Sequence, residues 1–148
     1  MSLKARLNED VKTALRARDK ARLGVLRMTL AAIKQREVDE RIELDDAQVT
    51  AVIEKMIKQR RESVRQYREG KREDLATAEE AEIEVLSAYL PEPLDDAAVD
   101  ALIREALDAT GAASMADMGK VMGHIKSAAQ GRVDMAAVSA KIRARLAG

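Results

Sequence analysis

The sequence predicts an all-α protein, and three observations carry that expectation. Apolar residues recur at spacings of three and four nearly from end to end, the period of an amphipathic helix. No run of alternating β-branched residues marks a strand. Asp, Gly and Pro punctuate the periodic stretches at the places where helices start and stop.

Taken in order, Leu3, Leu7, Val11 and Leu15 make a first helix. Asp19 is placed to cap a second, carrying Leu23, Leu26, Leu30 and Ile33. Asp45 caps a third with Val49, Val52, Ile53, Met56, Ile57, Val64 and Tyr67, which stops near Gly70. A fourth holds Leu75, Ile83, Leu86 and Leu90. It ends at LPEPLDD, where Pro91 and Pro93 are the chain's only prolines. The highly charged segment ends here as well. The expected organisation is therefore an N-terminal helical bundle over 1–92 and a three-helix subdomain over 93–148. In the latter, Asp95 or Asp96 caps a fifth helix with Val99, Leu102, Ile103, Ala106 and Leu107, and Gly111 ends it. The sixth carries Met118, Val121, Met122, Ile125 and Ala129 and ends at Gly131. Asp134 caps a seventh with Val138, Ile142 and Leu146.

Composition excludes several functions. Lys and Arg number 26 in the 148 residues, and Asp and Glu also number 26, so only the distribution of charge can point to a partner. There is no cysteine, hence no disulfide, thiolate metal site or cysteine nucleophile. With no Phe, no Trp and only Tyr67 and Tyr89, the chain cannot build the aromatic platform on which single-stranded nucleic-acid modules stack bases. Any RNA contact has to use phosphates, shape or backbone amides. The N-terminal residues MSLKARLNEDVK lack a secretory apolar core, and no apolar run approaches the roughly 18 residues of a membrane span. A cytoplasmic protein with no membrane contact is expected.

Four charges fall on apolar faces. At 100° per residue, Arg60 lies between Met56 and Val64, and Arg27 between Leu23 and Leu30. Glu79 and Glu82 share a face with Leu75, Ile83 and Leu86. An unpaired buried charge is costly, roughly 3–5 kcal/mol when one partner is removed. An interhelical network of Arg27 and Arg60 with Glu79 and Glu82 is the economical arrangement. A carboxylate metal site is the sharper alternative, but bundle sites of that kind usually take Glu-x-x-His pairs, and the single histidine, His124, lies in the other half. No metal and no cofactor are expected. Separately, Lys55, Lys58, Arg61, Arg65, Arg68 and Arg72 step along the third helix opposite its apolar face. Such a stripe meets phosphate, or is a solvated face offset by neighbours such as Glu62 and Glu69.

The stretch MGKVMGHIKSAAQGRVDM, Met118 to Met135, concentrates the remaining chemistry. It is not a P-loop. Gly119-Lys120 is followed by Val121, no glycine precedes Gly119 at the required distance, and no strand leads into it. It holds no nucleophile and base pair, because His124 has no serine in a strained elbow beside it. Gly119 and Gly123 lie four apart on one side of the helix, with Ser127 near that line. Each mid-helix glycine costs roughly 1 kcal/mol relative to alanine, so a contact that compensates is expected. Lys120, His124 and Lys126 project away from the apolar centre, and Arg132 and Lys141 follow. A phosphate at the seventh helix's N-terminus would meet these cations and free amides.

Two blocks, KREDLATAEEAEIEVLSAYLP and MGKVMGHIKSAAQGRVDMAAVSAKI, resemble the signature of the YqeY-like family, and the likeness runs over essentially the whole chain. That family is similar to the tail domain of GatB, the B subunit of the glutamine-dependent tRNA amidotransferase. The resemblance implies two helical subdomains, and a tail that contacts tRNA rather than doing chemistry. Carried over, the tRNA-facing candidates are Gly119, Lys120, Gly131 and Arg132, with His124, Lys126 and Lys141 beside them. After Gly-Arg the family commonly has Ala-Asp-Gly. Here Val133, Asp134 and Met135 stand instead, which removes a permissive backbone position. Amide synthesis needs a glutaminase nucleophile and a site for ATP and Mg²⁺, and neither motif appears. The resemblance thus implies an accessory protein that binds tRNA or an amidotransferase complex, with no catalytic residue of its own and no DNA contact. The alternative is a protein-interaction module that docks on a tRNA-charging complex without touching RNA.

Overall fold

The structure, a computed structural model, describes residues 1–147. It is all helical: α1 (Leu3–Arg16), α2 (Lys20–Glu40), α3 (Asp46–Glu69), α4 (Glu73–Ser87), α5 (Asp96–Thr110), α6 (Met118–Ala129) and α7 (Met135–Ala147). A short 3₁₀ turn, Met115–Asp117, precedes α6, and no strand occurs among the described residues. The chain divides into two compact units, Met1–Leu90 and a second that begins at Pro91.

The helix starts follow from side-chain caps. Asp19, Asp45 and Asp95 each accept a hydrogen bond from the amide three residues on, at 3.1, 2.8 and 2.7 Å. The Asp45 amide in turn donates to the Gln48 side-chain oxygen at 2.9 Å, closing a capping box. The ends differ between units. Gly111 closes α5 at φ 64°. In the first unit, Arg18, Arg41 and Lys71 occupy the left-handed region just past α1, α2 and α3. A side chain there costs roughly 1–2 kcal/mol. A cation near a helix C-terminus returns part of that, about 0.3–1 kcal/mol.

In the first unit, Leu7, Val25, Leu26, Ile33, Ile53 and Leu86 lie at the centre of the packed helices. Two polar ties hold the bundle's ends. The Glu37 carboxylate receives the Lys4 ammonium at 2.7 Å and the Leu44 amide at 2.9 Å, joining α1, α2 and the loop that follows. The Lys4 hydrogen bond first, and the Leu44 amide second, hold the Glu37 carboxyl below its usual range. At the other tie, the buried Tyr89 hydroxyl donates to Asp10, and the Arg6 guanidinium lies 4.6 Å above the Tyr89 ring. Arg22 reaches the same Asp10 carboxylate at 3.7 Å. Burial, with the Asp10 carboxylate second, pushes the Tyr89 phenol up to about 12. In the second unit, Ile103, Ala106, Val121, Ile125, Val138 and Ile142 form the core.

Two apolar stripes differ from expectation. Leu15 is 55% exposed, and Ala14 is buried in its place. Leu7, Val11 and Ala14 complete the inward row at i, i+4 and i+7, so Leu15 falls a further 100° round the helix. On α2 Leu26 and Ile33 are buried as expected, but Val25 and Thr29 are fully buried beside them, while Leu23 and Leu30 are half-buried at the edge of the core. Thr29 is tolerated because its hydroxyl donates to the Val25 carbonyl at 2.8 Å. That shift toward Val25 and Thr29 sets the fate of Arg27.

Candidate functional site

Of the four charges placed on apolar faces, two meet. Arg60 is 7% exposed, and its Nε lies 3.0 Å from a carboxylate oxygen of Glu82. Its remaining donors reach the Met56 carbonyl at 3.4 Å and the Met28 sulfur at 3.8 Å. Arg27 is corrected to an exposed residue. With α2 turned toward Val25 and Thr29, Arg27 sits roughly 145° from the centre of the buried row. Glu79 is half-buried and joins neither arginine. The network is therefore one ion pair between α3 and α4. No group of three or more metal-binding side chains is gathered among the described residues.

The basic stripe is exposed throughout, but Arg72 is corrected to the start of α4, since α3 ends at Glu69, and the two halves of the stripe differ. Arg65 pairs with Glu62, and with Glu69 at 2.7 Å. Arg68 pairs with Glu80, and with Glu73 at 3.1 Å; Arg72 pairs with Asp74 at 3.0 Å. These hydrogen bonds hold Glu62, Glu73 and Asp74 below the usual carboxylate range. The second half is thus a neutralised lattice. Lys55, Lys58 and Arg61 have no such ion pair among the described residues.

The α6 candidates also separate into two sets. Gly131 is buried at φ 79°, a conformation that favours glycine, so its role is to turn the chain. Arg132 donates from Nε to the Glu92 carbonyl at 2.8 Å, and its own carbonyl accepts the Leu94 amide at 2.8 Å. It clamps the proline segment to the α6–α7 turn. Lys141 reaches Asp100 on α5 at 3.1 Å. The amides that open α7 are not all free either, because the Asp134 carboxylate accepts from the Ala136 amide at 3.0 Å. At that helix start the carboxylate of Asp134, the cap that the sequence placed there, already takes one amide.

What stays open is the outer face of α6. Val121, Ile125 and Ala129 point into the core. At 100° per residue the opposite direction falls among Gly119, Gly123 and Ser127. All three are exposed, and a Cβ added to either glycine would meet nothing within 4 Å. Among the described residues, no packing contact compensates these glycines. They form a low lane along the helix, bordered by Lys126 on one side and by Lys120 and the half-buried His124 on the other. None of these three joins an ion pair among the described residues. Asp117, one turn before, is occupied by the Ala113 and Ser114 amides at 2.9 and 3.3 Å, which hold its carboxyl below the usual range. The sequence missed the 3₁₀ turn that Asp117 builds and the clamp made by Arg132. Both use backbone partners, which leave no periodic trace.

A family model described as Yqey-like protein matches residues 4–146. Altered inheritance of mitochondria protein 41 of Pyrenophora tritici-repentis is 33% identical over 141 residues, which is 93% of this chain and 77% of that protein. Proteins of the same name from Kluyveromyces lactis and Lachancea thermotolerans are 37% and 36% identical over 86 and 87 residues. Those matches cover 57% and 58% of this chain and 46% of each relative, so the chain aligns with about half the length of these two. Each of the three names designates its protein as mitochondrial, which corrects the expected cytoplasmic location. That expectation rested on a missing secretory core and membrane span, and neither feature distinguishes one interior compartment from another. Among the described residues, no helix is long and apolar enough to cross a membrane. With a family model matching from residue 4 to residue 146 and a relative one-third identical along 93% of the chain, this chain belongs to the YqeY-like protein family.

Proposed function

We propose that the chain is a non-catalytic accessory protein that faces tRNA through the outer surface of α6, in the service of tRNA-dependent amide transfer. The observation that carries this reading is the Gly119–Gly123–Ser127 lane, with Lys120, His124 and Lys126 along its borders and in no ion pair among the described residues. Each exposed helical glycine costs roughly 1 kcal/mol relative to alanine, and the unit's own packing returns nothing for it. A sugar–phosphate backbone lying in the lane supplies what is missing: close approach over the glycines and charge along the edges. The near absence of aromatic residues fits phosphate and shape readout rather than base stacking. The likeness of the family to the GatB tail points in the same direction. The relatives' mitochondrial setting accords with it, since mitochondria keep their own tRNA pool.

The test is binding to unfractionated tRNA at two salt concentrations, comparing wild type with a Lys120→Glu, Lys126→Glu double variant. Arg132 is kept, because its side chain holds the proline segment. Salt-sensitive binding that the double variant loses is the expected result, with a slope of roughly 0.7–0.9 per phosphate neutralised. Binding that persists in the variant moves the RNA surface to Lys55, Lys58 and Arg61. No binding by wild type at low salt sinks the tRNA reading and leaves docking on a protein of the charging complex.

A further inference from the structure

The rotation of α2 that exposes Arg27 also exposes a second ordered pattern. Ala21, Gly24, Met28, Ala31, Gln35 and Val38 are all exposed, and they follow one another at alternating steps of three and four. Met28 is 52% exposed and Val38 59%. That spacing is a heptad seam, the register in which one helix receives another. Beside it, Lys20, Arg27 and Lys34 recur every seven residues along one edge, all exposed and without an ion pair among the described residues. α2 therefore carries apolar residues on two sides: one packs into the bundle, and the other is turned to solvent except at Met28, whose sulfur meets the Arg60 guanidinium at 3.8 Å. Gly24 is a further sign, because a Cβ there would meet nothing within 4 Å, so no contact within the fold accounts for a glycine at this mid-helix position. At the C-terminal end of the seam, Val38, Lys34 and Ile42 help line a surface hollow of about 320 Å³ with Lys4, Glu37 and Glu43.

We infer that this face of α2 docks an amphipathic helix of another protein, one with large aliphatic residues on its seam and carboxylates along one flank. The small residues Ala21, Gly24 and Ala31 let a helix axis approach to the short end of the usual 8–10 Å. They leave room for large side chains from the partner. The lysine and arginine edge selects acidic flanking residues, as charged flanks do in paired helices. A second copy of this chain fits poorly. Antiparallel pairing would set the cationic edge against itself. Parallel pairing would set it against positions 25, 32 and 39, where Val25 is buried, Ala32 is half-buried and Asp39 is the lone acid. Small residues would also face small residues and leave voids. The seam is on the first unit, and its fate is independent of the tRNA reading of α6.

The probe is a fluorescent 21-residue helical peptide with Leu at the seam positions and Glu along the flank, titrated with the full chain and followed by anisotropy. A control peptide carries Lys in place of Glu. Wild type is expected to bind the Glu peptide at least tenfold more tightly than the Lys peptide. An Arg27→Glu, Lys34→Glu variant and, separately, an Ala31→Arg variant are expected to weaken the Glu peptide at least tenfold. Both are surface changes, and circular dichroism confirms that they fold. Equal affinity for the two peptides, no binding, or no effect of either variant overturns the inference. So does a concentration-dependent dimer in sedimentation that Ala31→Arg abolishes, which would assign the face to a second copy. Loss of tRNA affinity in the Arg27→Glu, Lys34→Glu variant overturns it too, by assigning the cationic edge to RNA.

Discussion

Replacing Gly123 with alanine separates packing from recognition, because the two predict opposite signs. Gly123 lies inside α6 with nothing within 4 Å of the place an added methyl would take, and it is not among the residues with positive φ. Alanine therefore fits without strain and gains about 1 kcal/mol in helix propensity and lost unfolded-state entropy. Unfolding entropy near 2.1 cal/mol/K per residue converts this into a rise in Tm. The rise is about 8 °C if the second unit, roughly 58 residues, melts by itself, and about 3 °C if the whole chain melts as one. Thermal unfolding followed by circular dichroism reads it directly. A lower Tm would refute the open lane, since it would mean that the methyl strikes a neighbour. The same position tests recognition when the added group is larger. A Gly119→Gln, Gly123→Gln pair fills the lane with neutral side chains. It is expected to weaken tRNA binding by about tenfold or more, an effect of roughly 1.4 kcal/mol, while the fold holds. Unchanged affinity with the lane filled would remove α6 from the RNA surface.

Four further outcomes follow from polar contacts. Glu82→Ala leaves the Arg60 guanidinium nearly buried without its carboxylate, which is itself about one-third exposed; the expected loss is about 2 kcal/mol in urea unfolding, between surface and buried pairs. Arg60→Met, set among Met28 and Met56, is expected to cost less than Glu82→Ala, and a larger cost would mean that the arginine does more than satisfy its partner. For Tyr89, the unfolded phenol near pKa 10 gives up its proton before the folded one near 12. Stability present below pH 10 is therefore lost as pH rises toward 12, by roughly 2–3 kcal/mol, and Tyr89→Phe should flatten that part of the profile. Arg132→Ala removes the bond to the Glu92 carbonyl, so the amide of Leu94 should exchange its hydrogen faster; unchanged protection would show that the backbone bond alone holds the segment.

The local rules were legible in the sequence because they act between near neighbours. Asp19, Asp45 and Asp95 announce helix starts through a bond that spans three residues, and each makes it. Gly111 announces a stop through a conformation that other residues resist. The lane of α6 was legible for the same reason. Gly119, Gly123 and Ser127 share a face by helical period alone, and what the structure adds is that nothing packs on it.

Other parts needed the tertiary structure. Periodicity gives a helix's possible apolar faces, and α2 has two: one with Val25, Leu26, Thr29 and Ile33, and one with Ala21, Met28, Ala31 and Val38. Which of them turns inward depends on the neighbouring helices, and a sequence window around α2 does not contain them. Arg27 was placed inward because it lies between Leu23 and Leu30, which are only half-buried, and the docking seam was invisible. Arg132 looks like a free cation in a basic stretch until the fold brings the Glu92 carbonyl, 40 residues away in sequence, within 2.8 Å of it. The sequence by itself determined the helices, their caps and the small-residue lane, since those depend on backbone geometry over three or four residues. Only the tertiary structure decided which charges are occupied and which faces remain open, because that depends on groups brought together from distant parts of the chain.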